Sequence, residues 1–146
     1  MLKILAALCL FASVSADIAT RSTKVEGHFK CGSADLVGAH VRLFRSESEK
    51  LEDVIATGKT DSNGRFSIEG DTSRFGGEAS AIDPYLRIYH KCDEDAGKSG
   101  FRTVEIRYPR DFVTLGKLPR RTYNLGLLNL EIIYPGEKRS NPEGLN

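Results

Sequence analysis

The sequence predicts an all-β fold, an antiparallel β-sandwich of about seven to eight strands. Three observations carry that expectation. Apolar residues alternate in short runs, as in Leu86-Arg87-Ile88-Tyr89-His90-Lys91-Cys92, the period of a strand with one buried side. Turn signals separate the runs, the strongest being Asp61-Ser62-Asn63-Gly64, where Asn-Gly suits the positive φ of a tight hairpin. No stretch of useful length carries a helical period, so two packed sheets are favoured.

The first sixteen residues are expected to be a leader rather than part of the fold. Met1-Leu2-Lys3 is a short basic start, Ile4 to Ala12 is almost wholly apolar, and Val14-Ser15-Ala16 offers small residues for cleavage before Asp17. That is the pattern of a secretory signal peptide, and the apolar run is shorter than the ~20 residues that span a bilayer. The reading is a secreted, extracellular product comprising one domain over 17–146, with no transmembrane segment. The whole chain holds 21 basic and 20 acidic residues; loss of Lys3 with the leader makes the charge balance even. Cys9 leaves too, and the remaining pair, Cys31 and Cys92, reads as one disulfide in an oxidising compartment. Cysteines so far apart, without CxxC or His-x3-His, lack the spacing of a zinc site. Neither a metal nor a cofactor is expected.

The strands follow in order. Val25, Gly27, Phe29 and Cys31 alternate with Glu26, His28 and Lys30 in a first strand after a loose Asp17–Arg21 segment. A turn at Gly32–Asp35 leads to a second strand over Ala39–Phe44, with Val41 and Leu43 inward. Arg45–Asp53 is charged and loop-like. Val54–Thr60 and Arg65–Glu69 form the hairpin, with Phe66 and Ile68 on one face. Next comes Asp83–Cys92, placing Leu86, Ile88, His90 and Cys92 inward and Tyr85, Arg87, Tyr89 and Lys91 outward. Val104, Ile106 and Tyr108 mark another strand stopped by Pro109, and Arg110–Arg120 is irregular. The last strand is placed at Leu127–Tyr134 with Leu128, Leu130 and Ile132 inward. Ser140–Asn146 reads as a short polar tail that frays.

These residues resemble a known family along the whole of 17–146. Val25-Glu26-Gly27 with Cys31, Gly38-Ala39-His40-Val41-Arg42-Leu43-Phe44 and Thr60-Asp61-Ser62-Asn63-Gly64-Arg65-Phe66 come first. Asp83-Pro84-Tyr85-Leu86, Ile88-Tyr89-His90-Lys91-Cys92, Tyr123-Asn124-Leu125-Gly126 and Pro135-Gly136-Glu137 follow. In order and spacing the set resembles the nematode transthyretin-like proteins, which implies a secreted transthyretin-type sandwich. Members of that family commonly hold a second cysteine pair; the matching places here are Gly100-Phe101 and Asn141. The resemblance therefore implies a single Cys31–Cys92 bridge and a looser C-terminal tail. It also implies binding of exposed anionic phospholipid and bridging to a cell-surface receptor.

Candidate chemistry is sparse. A purine-pathway hydrolase on the related fold uses paired histidines, an arginine and a terminal Tyr-Arg-Gly-Ser. This chain ends Pro142-Glu143-Gly144-Leu145-Asn146, and a shared fold does not carry an activity without its site. His90 is the best titratable candidate, but His28 and His40 fall on other strands and Gly-x-Ser-x-Gly is absent. No enzyme is expected. The charge pattern says more. Arg102, Arg107, Arg110, Lys117, Arg120 and Arg121 crowd one segment opposed only by Glu105 and Asp111, a candidate patch for anionic lipid headgroups or an extracellular protein. Nucleic acid is not an expected partner. The alternative is carriage of a small hydrophobic ligand at an oligomer interface.

Overall fold

A computed structural model describes residues 20–145; the leader expected at 1–16 lies outside the described residues. Backbone pairing defines ten strands: β1 (Arg21–Cys31), β2 (Ala34–Asp35), β3 (His40–Phe44), β4 (Val54–Lys59), β5 (Arg65–Asp71), β6 (Tyr85–His90), β7 (Phe101–Arg107), β8 (Val113–Leu115), β9 (Thr122–Asn129) and β10 (Lys138–Ser140). Seven of them have five residues or more; six fall on alternating runs, and the seventh, β9, shares only Leu127–Asn129 with the run placed at Leu127–Tyr134. The short ones are stitches added at edges.

β1 is the axis of the first sheet. Ser22 pairs with both Asp71 and Thr114, and His28 with both Arg65 and Leu127. Thus β5 lies along one side of β1, with β8 and then β9 along the other. The second sheet runs β10-β7-β6-β3-β4. All pairs are antiparallel except β1 with β9, which are parallel. β8 opposes β1 and β9 follows it, so the chain must reverse between them, and that reversal is the loop after Leu115.

The core fills the space between the sheets. Val25, Phe29, Val41, Leu43, Leu86, Ile88 and Leu130 are wholly buried. Phe29 and Phe66 meet with ring centroids 5.1 Å apart, and Tyr108 stacks on Tyr123 at 4.8 Å. The Tyr108 hydroxyl reaches Thr23 Oγ1 at 2.9 Å, so a buried phenol is satisfied rather than stranded. Gly64 closes the β4–β5 hairpin at φ +72°, and its carbonyl accepts from the Phe29 amide at 2.7 Å. The bridge between Cys31 and Cys92 spans Cα atoms 5.6 Å apart and ties the end of β1 to a cysteine two residues beyond β6, joining the sheets.

Four expectations are corrected. The first strand starts at Arg21, earlier than Val25, because β5 and β8 pair with its opening residues. Every residue of β6 is buried, including Tyr85, Arg87 and Tyr89. As third of five strands its inner face meets the core, and long side chains and the C-terminal segment cover its outer face. The last long strand is Thr122–Asn129; Lys30 is the final residue of β1 to pair with it, so the chain leaves the sheet and Ile132 stands 58% exposed. Finally, the described part of the tail is tied to the second sheet. β10 pairs with β7, and the Glu143 carbonyl accepts from Arg42 Nη2 at 2.6 Å.

Candidate functional site

The six candidate cations do not share one surface. Arg102 is 9% exposed and grips Glu137 with both arms, Nη2 to Oε1 at 2.8 Å and Nε to Oε2 at 3.2 Å. Its remaining donors hold the carbonyls of Cys92 at 3.0 Å and Ile132 at 3.2 Å. Arg102 is a staple, unavailable to an outside anion. Arg107 is neutralised by Glu47 at 2.6 Å, with Asp83 at 4.0 Å, and Asp83 also meets Arg110 at 3.4 Å.

The other three cations stand together on the reversal between β8 and β9. The loop reads Leu115-Gly116-Lys117-Leu118-Pro119-Arg120-Arg121. Its ends are pinned: the Gly116 amide donates to Thr20 O at 2.8 Å, and the Arg120 amide to Thr114 Oγ1 at 3.0 Å. Arg121 lies over the Phe112 ring at 4.5 Å and donates to Asp111 O at 2.9 Å. That contact draws the loop against the short turn carrying Arg110. Among the described residues, neither Lys117 nor Arg120 forms a salt bridge. Leu115 and Leu118 are 59% and 79% exposed on the same loop. The leucines were absent from the sequence expectation, although Gly116 and Pro119 break the strand period and forbid alternating burial there.

His90 sits at the other chemical centre, beside the disulfide, with a side chain fully out of solvent. Its Nδ1 accepts from the Cys92 amide at 3.1 Å. Its Nε2 stands 3.9 Å from Glu137 Oε1 and has no hydrogen-bond partner. Burial, with the Arg102 charge adding to it and Glu94 opposing, pushes its pKa down to about 4. His28 pairs with Asp35 at 2.8 Å on the outer face of β1, and His40 meets the edge of Phe101. The three histidines stay on separate strands, and no cluster suited to a metal ion occurs among the described residues. No helix among them is long and apolar enough to cross a membrane.

Residues 26–109 match the family model TTR-52, described as the transthyretin-like family. The chain belongs to the transthyretin-like family. Transthyretin-like protein 33 of Caenorhabditis elegans is 37% identical over 133 residues, 90% of this chain and 88% of that one. Transthyretin-like protein 46 of the same organism is 33% identical over 140 residues, covering 95% of this chain and 76% of its own. Transthyretin-like protein 5 is 36% identical over 140 residues, covering 94% and 97%. Among solved structures, a 5-hydroxyisourate hydrolase of Klebsiella pneumoniae aligns over 82% of this chain and 100% of its own, with 15% identity and a TM-score of 0.41. The family match ends at Pro109, so the Leu115–Arg121 loop of this transthyretin-like chain lies outside it.

In this transthyretin-like sandwich the buried His90 makes stability depend on pH. Its folded pKa, about 4, lies below the ordinary 6.5, so between those values the unfolded chain binds the proton more readily. Stability is full above pH 6.5 and falls as the pH drops toward 4, by roughly 3 kcal/mol for such a gap. His40, lowered by burial and by Lys59 and Arg42, acts in the same direction. Glu105 behaves differently: burial opposes its charge, but hydrogen bonds from Lys138, Tyr85 and Arg87 prevail and hold it at about 2. Its contribution is lost only below the ordinary 4.5. Urea unfolding at pH 7.5 and near pH 4.5 is expected to show the loss, and His90→Gln to flatten it. Equal pH slopes in the two proteins would refute the assignment.

Proposed function

We propose that this chain is a non-enzymatic, extracellular binding module that engages an anionic lipid surface through the Leu115–Arg121 loop. The observation that carries this reading is the coincidence of two exposed leucines with Lys117, Arg120 and Arg121 on one pinned loop. Each leucine transferred from water into the acyl boundary contributes up to about 1.5–3 kcal/mol, and each cation near an anionic leaflet about 1 kcal/mol. The ends of the loop are fixed by hydrogen bonds, so little ordering entropy opposes docking. Small-hydrophobe carriage has less support. The outer face of the first sheet holds a hollow of about 600 Å³, but Glu26, His28, Asp61 and Arg65 are among its lining residues, chemistry that does not suit an apolar ligand.

Liposome co-sedimentation tests the proposal. Vesicles of phosphatidylserine in phosphatidylcholine should retain the protein, pure phosphatidylcholine should not, and raising salt should weaken retention. Lys117→Ala/Arg120→Ala/Arg121→Ala should lower apparent affinity by about tenfold or more, and Leu115→Ser/Leu118→Ser should weaken it at all salt concentrations. Equal retention on neutral and anionic vesicles, or unchanged retention of both variants, would overturn it.

A further inference from the structure

The C-terminal segment after β10 forms a strap across the outer face of the second sheet. Ser140 pairs with Phe101 on β7, Glu143 O is held by Arg42 on β3, and Gly144 and Leu145 lie beside Thr57 and Lys59 on β4. Five residues in extended form reach about 16 Å, enough to cross the three strand spacings from β10 to β3 at about 4.8 Å each. Two hollows of about 380 Å³ remain, one on either side of the strap. Arg42 lines both.

Arg42 is an unusual cation. It is 8% exposed, yet among the described residues it forms no salt bridge. Its contacts are the Glu143 carbonyl and Tyr89, whose ring centroid lies 5.7 Å from its Cζ. A buried guanidinium ordinarily has a carboxylate, because desolvating the charge is costly. Buried Arg87 on the adjacent strand obeys that rule, holding Glu105 at 3.0 Å; the more exposed Lys138 and Arg139 also hold carboxylates, Glu105 at 2.9 Å and Glu94. Arg42 presents up to five donors in a planar fork, of which the strap carbonyl takes one and the Tyr89 hydroxyl another. None of its nitrogens is both sealed from solvent and unsatisfied, so the unused donors are reachable from the hollows.

The hollow on the β10 side combines that guanidinium with Phe44, Tyr89 and Pro142 as apolar wall and Ser140 as a hydroxyl. Two glutamates also border it: Lys138 partners Glu49 at 3.5 Å, and Glu143, an exposed residue, turns its backbone carbonyl to Arg42. Its volume lies at the lower end of small-molecule sites. The geometry points to a binding site, within one protomer, for a small organic monocarboxylate: the carboxylate on Arg42, a short apolar body against Tyr89 and Phe44, and the strap as one wall. The ligand supplies the counter-charge that the chain withholds. This site is on the second sheet, away from the Leu115–Arg121 loop, and requires no oligomer.

Octanoate is the probe, and octanamide its neutral counterpart. Titration of the full protein by calorimetry should show saturable octanoate binding and about tenfold or weaker binding of the amide, since a charge-assisted fork is lost. Amide resonances of Arg42, Tyr89 and Ser140–Glu143 should move on titration, those of Lys117–Arg121 should not. Arg42→Met should lower octanoate affinity about tenfold or more, and Arg120→Ala should leave it unchanged. The resonance map in the unaltered protein keeps the test decisive even where Arg42→Met folds poorly. Equal binding of acid and amide, shifts confined to the end loop, or no saturable binding at millimolar octanoate would each overturn the assignment. Vesicle retention is measured separately, so the two proposals fail independently.

Discussion

Cys31→Ala/Cys92→Ala is expected to lower the unfolding free energy by roughly 4 kcal/mol, the chain-entropy value for a loop of this length. The cysteines are 61 residues apart, and the loop they close contains β2, β3, β4, β5 and β6. Without the bond, the denatured chain regains the freedom to separate those strands from β1. Alanine avoids placing a hydroxyl at Cys92, which is 2% exposed within the core. Against a usual domain stability of about 5–15 kcal/mol the loss is large, and the melting temperature should fall by roughly 15 °C for a domain of this size. Urea denaturation of the oxidised protein, the reduced protein and the double variant checks it. The last two should agree. A loss below about 1 kcal/mol would mean that the denatured chain already holds β1 near β6 without the bond.

How much of this was legible in the sequence depends on how far away the partner lies. The long strands were readable because Val25 and Phe29, or Leu86 and Ile88, alternate within a few residues of each other. The hairpin was readable because Asn63-Gly64 encodes its own turn. Burial of Tyr85, Arg87 and Tyr89 was not, since what covers their face includes the strap at 141–145, whose polar composition is that of a loose end. Ile132 was placed inward because the apolar run continues past Asn129; nothing local says that β1 has run out of paired backbone at Lys30. The basic segment was visible as composition, yet its members part according to neighbours. Arg102 meets a carboxylate 35 residues along the chain, whereas Lys117 and Arg120 sit on a turn that projects outward. Beyond the breaks at Gly116 and Pro119, the exposure of Leu115 and Leu118 has no local sign, because an apolar residue in a β-rich chain reads as core until its neighbours are known.

The second large effect is expected at Glu137. Its side chain is 9% exposed and carries the bidentate pair with Arg102. Glu137→Gln keeps the shape and removes the charge, so the Arg102 guanidinium remains buried with only neutral acceptors. Breaking one side of a buried pair in this way costs about 3–5 kcal/mol. Arg102→Met should also destabilise, and it releases the carbonyls of Cys92 and Ile132 as well. Because both changes remove one interaction, Arg102→Met/Glu137→Met should lose less than the sum of the singles, and a double-mutant cycle reads the coupling directly. Strict additivity would show that water screens the pair. His90 supplies a second reporter, because the Arg102 charge is among the causes holding its pKa down. In Arg102→Met the His90 resonance should titrate at a higher pH than in the unaltered protein. The ion pair, the histidine and the disulfide then respond as neighbours in one buried cluster at the end of β6.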